Sequence, residues 1–214
     1  MDRRWPFFTV DIELTNICEQ NCRFCPREKL TRPAGFIDKQ LLQDIMTQLA
    51  AIGSRVTFCG MGNPLLHPQW AEICHICHNS GVKYGLTIQA PALTKPNITR
   101  ICELAPSFLE VSFPSIDAEH FSRIYPGEDL EKCLSSIEML VAARGSSRGI
   151  SITAVRTADD PADPATTNGF WQQRGLPVRQ QQCHSRGGNL HEQSTATRVA
   201  LLLSDRQTAL LPEP

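Results

Sequence analysis

The sequence predicts an α/β fold built from parallel strand-helix units. Short apolar runs alternate with amphipathic helical segments from Phe7 to Val155, the pattern of right-handed βαβ units. A length of 214 residues fits one domain, with room for a small appendage and a substantial core. A cysteine-rich loop directly follows the first apolar run, at the C-terminal end of a strand, where βα architectures place their chemistry.

The elements follow in order. Phe7 to Leu14 reads as the first strand, and the loop ELTNICEQNCRFCPR, Glu13 to Arg27, comes next. In Asp38 to Ala51, helical spacing puts Leu41, Leu42, Ile45, Met46 and Leu49 on one face, with Asp38 as N-cap and Gly53 as the stop. Arg55 to Cys59 is a second strand, Pro68 to Asn79 a helix, and a third strand runs from Gly81 through VKYGLTI. Lys95 to Leu104 is a short helix, Phe108 to Ser112 a fourth strand, Leu130 to Ala143 a long helix ended by Gly145, and Ile150 to Val155 a fifth strand. The stretch TADDPADPATTNG reads as a loop. A brief helical piece around Phe170 to Arg174 and a sixth strand at Leu176 to Gln181 close the pattern, the glutamines making that strand the weakest of the set.

Composition excludes several classes. The chain is 41% hydrophobic and 20% charged, with a formal net charge of −1. A general nucleic-acid binder would need a basic excess. No stretch approaches the roughly 20 apolar residues that span a bilayer, and the apolar start is broken by Pro6 and Asp11, unlike a signal peptide. Nine cysteines, an odd number, argue against a disulfide framework and for a reducing, cytoplasmic setting in which thiolates stay free to hold metal.

Cys18, Cys22 and Cys25 form a C-x3-C-x2-C run, so three thiolates can leave one loop and converge on one metal centre. A closed zinc site or an ordinary four-iron cluster takes four protein ligands; three leave one coordination position open. The loop, with Pro26, Arg27 and the segment TRPAGFID from Thr31 to Asp38, resembles the cluster loop of radical S-adenosylmethionine (SAM) enzymes, in the branch carrying a cysteine-rich C-terminal extension called SPASM.

That resemblance implies a partial (β/α)6 barrel opened on one side. It implies a [4Fe–4S] cluster on Cys18, Cys22 and Cys25, with SAM on the remaining iron, reductively cleaved to a 5′-deoxyadenosyl radical that takes hydrogen from a substrate. The segment CGMGNPLLHP, Cys59 to Pro68, matches the motif that receives the SAM amino group, which maps onto Gly60, Met61, Gly62 and Asn63. Asn63 stands where relatives have an acidic residue; its amide oxygen can accept from an ammonium, and restoring a carboxylate there is expected to keep or tighten SAM binding. Ser112 takes the place of a SAM-holding serine, Phe24 that of a residue whose backbone meets adenine, and Gln89 a further contact. Pro114 and Ser115 replace the Asp-Gly of many relatives, so Asp117 reads as a helix or turn cap. The implied partners are a peptide or small-molecule substrate and a one-electron donor such as a flavodoxin or ferredoxin.

The division is residues 1–182 as the radical SAM core and 183–214 as a truncated SPASM-like start and tail, because no cysteine follows Cys183. Cys74-His75-Ile76-Cys77-His78 matches a haem-attachment pattern, yet helical spacing puts Trp70, Ile73, Cys74 and Cys77 on one apolar face. These cysteines, with Cys59, Cys102 and Cys133, read as buried small hydrophobes, and His67 as a turn residue. Two rival functions stay open: a non-catalytic cluster-binding remnant, and a zinc- or dithiol-binding protein using Cys74, Cys77 and nearby histidines.

Overall fold

The computed structural model describes residues 9–157 and 164–183. Six strands form one parallel sheet in sequential order: β1 Thr9–Ile12, β2 Arg55–Phe58, β3 Lys83–Gln89, β4 Phe108–Ser112, β5 Ile150–Arg156 and β6 Val178–Gln182. The crossovers carry α1 Lys39–Ile52, α2 Trp70–Asn79, α3 Lys95–Leu104, then α4 Ala118–Ile124 and α5 Leu130–Arg144 together, and α6 Pro164–Gln172. The result is an α/β half-barrel with β1 and β6 at its edges.

The two faces of the sheet differ. Val56, Phe58, Leu86, Ile88, Leu109, Val111, Ile150 and Ile152 alternate along their strands and are buried in the core. The residues between them, including Thr57, Thr87, Glu110, Ser112 and Thr153, line a cleft. A parallel sheet covered on both faces would read as continuous apolar runs; this one is apolar toward its helices and mostly polar toward the cleft, where Phe108 and Val155 are the apolar strand residues.

Local chemistry sets the helix ends. Asp38 caps α1 by accepting from the Gln40 and Leu41 amides, and Gly53 ends it at φ 69°. Thr94, Asp117 and Asp129 cap α3, α4 and α5 through their side chains.

Several expectations are corrected. In α1 the buried stripe is Leu42, Met46 and Leu49, whereas Leu41 is 52% exposed. β1 stops at Ile12 because the chain leaves the sheet to meet residues 33–37: Leu14 O accepts from Ile37 N at 2.9 Å, and Thr15 bridges Phe36. Helix α4 was not anticipated, although its cap Asp117 was. Helix α6 begins at Pro164, inside a stretch read as loop, because Thr167 and Trp171 are buried against neighbours. The weak sixth strand exists: β6 pairs with β5 over five positions, and Gln180 Nε2 donates to Asn168 Oδ1 at 2.8 Å. Among the described residues no helix is long and apolar enough to cross a membrane. The expected tail, beyond Cys183, lies outside the described residues.

Candidate functional site

The cysteine loop is held at both ends. Asn16 Nδ2 donates to Pro33 O at 2.9 Å, and Asn16 Oδ1 accepts from Gly35 N at 2.8 Å. Thr15 Oγ1 donates to Gly35 O at 2.7 Å, so the TRPAGFID segment forms a brace under the loop. Arg27 closes it by donating to the carbonyls of Cys18 and Gln20. Arg23 N donates to Ile124 O at 3.0 Å, and the Phe24 ring lies 6.4 Å from that of Tyr125, tying the loop to the end of α4.

Cys18, Cys22 and Cys25 line one wall of a cleft of about 900 Å³ on the inner face of the half-barrel. Phe24, Gly60, Met61, Gly62, Gln89 and Ser112 line it as well. Burial, followed by the neighbouring thiols of Cys18 and Cys25, pushes Cys22 up to about 12. Burial also raises Cys18, against the Gln20 N–H that donates to its sulfur at 3.4 Å. The neighbouring thiols disfavour the ionisation of Cys22, and a bound cationic centre reverses that, since ligating thiols are deprotonated. Among the described residues no three His, Cys, Asp or Glu groups are drawn together tightly enough for a single metal ion. A four-iron cluster offers each thiolate a different iron, so a wider set of sulfurs suits it. The donor set fits that cofactor.

The glycine turn after β2 faces the loop. Gly60 has φ 148°, and a Cβ there would meet the Glu13 side chain; a Cβ at Gly62 would strike the carbonyls of Thr15 and Ile17. Met61 N donates to Glu13 Oε2 at 2.7 Å, and Glu13 Oε1 pairs with Arg32 at 2.5 Å. Asn63 departs from expectation. It is fully buried outside the cleft lining, its Oδ1 accepts from Leu65 N at 3.0 Å, and its Nδ2 donates to Glu19 Oε1 at 2.8 Å. The amide expected to receive an ammonium is therefore committed to the fold.

Ser112 ends β4 at the cleft. Tyr125 OH lies 3.0 Å from both its Oγ and its carbonyl oxygen, and burial holds that phenol well above its usual range. The reading of the sequence missed Glu13, Glu110, Arg179 and Tyr125. Glu110 alone carries a legible signal, its place between Leu109 and Val111 in an alternating strand; Glu13 lies beyond the end of β1, Arg179 opens a run of glutamines, and Tyr125 has no such mark.

The remaining cysteines divide. Cys74 and Cys77 are buried, and burial pushes their thiols to about 11 and about 12. His75 meets Asn79, and His78 Nε2 lies 3.2 Å from Leu104 O, on the far side of α2. Cys133 and Cys183 are buried, but Cys102 is exposed and Cys59 is half-buried at the cleft wall, against expectation. His67 is buried, with Nε2 3.1 Å from Ile37 O and Nδ1 accepting from Gln69 N.

Half-barrel, cysteine loop and glycine turn together define a class, and sequence comparison agrees: the Radical SAM superfamily profile matches residues 12–160. The chain belongs to the radical SAM superfamily, whose cofactors are a [4Fe–4S] cluster and SAM. It is 23% identical over 158 residues to a GTP 3′,8-cyclase of Chlorobaculum tepidum, covering 73% of this chain and 48% of that protein. It is 28% identical over 131 residues to an AdoMet-dependent heme synthase of Methanosarcina barkeri, covering 60% and 37%. The chain thus spans about half the length, or less, of these relatives. In fold it resembles Streptococcus suis SuiB bound to the precursor peptide SuiA, with a TM-score of 0.69 and 14% identity over 95% of this chain and 46% of SuiB.

Proposed function

We propose that this chain is a radical SAM catalytic core in which Cys18, Cys22 and Cys25 hold the cluster. In this reading Gly60, Met61, Gly62, Ser112 and the Phe24 backbone hold SAM. The observation that carries it is the placement of three thiols, the glycine turn and Ser112 around one cleft. When bound, the two cofactors supply one-electron cleavage of SAM and the hydrogen abstraction that follows.

The protein's own part is to bind, orient and exclude water. Arg27 and the brace at residues 33–37 fix the directions in which the thiols leave the loop. The absence of Cβ at Gly60 and Gly62 lets the turn lie against the loop. Tyr125 fixes the hydroxyl of Ser112, a residue of the cleft wall. Phe24, 8% exposed, shields the loop on the α4 side.

The finer reading places the chain in the SPASM-type branch, on the Pro26-Arg27 and TRPAGFID residues. It acts on a peptide or small-molecule substrate with a flavodoxin- or ferredoxin-like donor in the cytoplasm, and residues 1–182 form its core. SuiB, crystallised with its precursor peptide, is one neighbour that supports a peptide.

Anaerobic reconstitution tests the function. The chain should take up about one four-iron cluster, lose it in each of Cys18→Ala, Cys22→Ala and Cys25→Ala, and release 5′-deoxyadenosine from SAM on reduction. A normal cluster in all three variants would overturn the ligand assignment. A cluster without 5′-deoxyadenosine would leave a cluster-binding protein that does not turn over.

A further inference from the structure

The inner face of the sheet carries charged groups that the cofactor assignment leaves unused. Glu110 on β4 and Arg179 on β6 reach across β5, with Arg179 Nη2 3.0 Å from Glu110 Oε2. Thr87 Oγ1 donates to the same carboxylate oxygen at 3.3 Å. All three line the cleft. Arg179 is in register with Thr153, Thr153 with Ser112, and Ser112 with Gln89, so four polar side chains form one row across four strands.

Two atoms of that row, Gln89 Oε1 and Thr153 Oγ1, are buried with no hydrogen-bond partner, and Thr153 is 3% exposed. Unpaired buried polar atoms are uncommon and call for an occupant. The Arg179 and Glu110 side chains are 58% and 23% exposed, and an ion pair of that exposure adds little to stability. Structural need alone does not account for it.

We propose that Arg179 is the anchor for an oxyanion, carboxylate or phosphate, on the substrate of this cleft. The inference rests on the radical SAM reading above. Glu110 engages one guanidinium nitrogen; the remaining edge presents a planar fork of donors that suits two oxyanion oxygens at once. Thr153 Oγ can donate to the same anion, and Gln89 Oε1 accepts from an N–H or O–H of the same molecule.

The test uses the full chain with inorganic phosphate and acetate as separate probes. Phenylglyoxal modification of Arg179, followed by peptide mass analysis, should slow with one or both probes but not with chloride at matched ionic strength. Protection by phosphate alone indicates a phosphorylated substrate, and by acetate a carboxylate. Titration of the protecting anion should show affinity falling about tenfold or more in Arg179→Lys and Arg179→Met, the loss expected for a hydrogen bond to a charged group. Equal modification under every condition, or wild-type affinity in both variants, would overturn the proposal; if the variants misfold, protection in the wild type still decides. Release of 5′-deoxyadenosine is scored separately. SAM cleavage without anion binding defeats the anchor alone, and anion binding without SAM cleavage defeats only the enzymatic reading.

Discussion

Asn63 Nδ2 donates to Glu19 Oε1 across 2.8 Å, joining the glycine turn to the cysteine loop. The same amide accepts from Leu65 N at 3.0 Å, and Asn63 N donates to Ile17 O at 2.8 Å. An amide can donate to a carboxylate and accept from a backbone N–H at once, whereas an ionised carboxylate cannot donate. Asn63→Asp would therefore set a buried carboxylate against that of the exposed Glu19. Loss of about 1–3 kcal/mol is expected, with weaker SAM binding, the reverse of what the motif alone suggests. Adding Glu19→Gln restores a donor and should recover part of the loss. Urea unfolding of the single and double variants, combined as a double-mutant cycle, measures the coupling.

Gly62→Ala tests the fit between turn and loop. Its Cβ would meet backbone carbonyls of Thr15 and Ile17, which cannot rotate away as a side chain would. Destabilisation of about 1–3 kcal/mol is expected from overpacking, together with less iron bound per chain after reconstitution. Wild-type stability and iron content would show that turn and loop do not meet as described.

Tyr125→Phe removes the hydroxyl that reaches Ser112 but keeps the ring packed against Phe24 and Phe121. The expected cost is about 0.5–1.5 kcal/mol of stability. SAM affinity should fall while cluster content stays near wild type, because the loop contacts are ring contacts. Iron analysis and SAM titration on one preparation separate these effects.

Alkaline pH should weaken the fold through the thiols behind the sheet. Burial raises Cys77 and Cys133 from 9.0 to about 12, and Cys74 to about 11. Above pH 9 the unfolded chain releases protons that the folded chain still holds, so unfolding is favoured progressively as pH rises through this window. Below pH 9 this contribution is fully present and constant. Thermal unfolding of cluster-free protein between pH 8 and about 11 should show the decline, and Cys77→Ala should show a shallower one. Equal slopes would mean that Cys77 does not titrate differently in the two states.

Much of the fold was legible because its signals are local. Asp38 before an amphipathic run, Gly53 after it, and the exact limits of α3 and β4 follow from capping and periodicity within a few residues. Helix α4 and the first two turns of α6 escaped because no such run marks them, whereas the end of α6 overlaps the helical piece expected around Phe170 to Arg174: α4 is seven residues long, and α6 contains Thr166, Thr167, Asn168 and Gly169, all weak helix formers. Their helicity depends on burying Phe121 and Trp171 against Phe113.

The site divides in the same way. By itself the sequence determined the chemistry of the cysteine loop and the glycine turn, since ligand spacing and missing Cβ atoms are properties of a short segment. Only the tertiary structure decided that Asn63 faces Glu19, that Tyr125 holds Ser112, and that Glu110 meets Arg179 across 69 residues of chain. Each of these pairs joins different elements, and the curl of the sheet alone sets which polar side chains share the cleft.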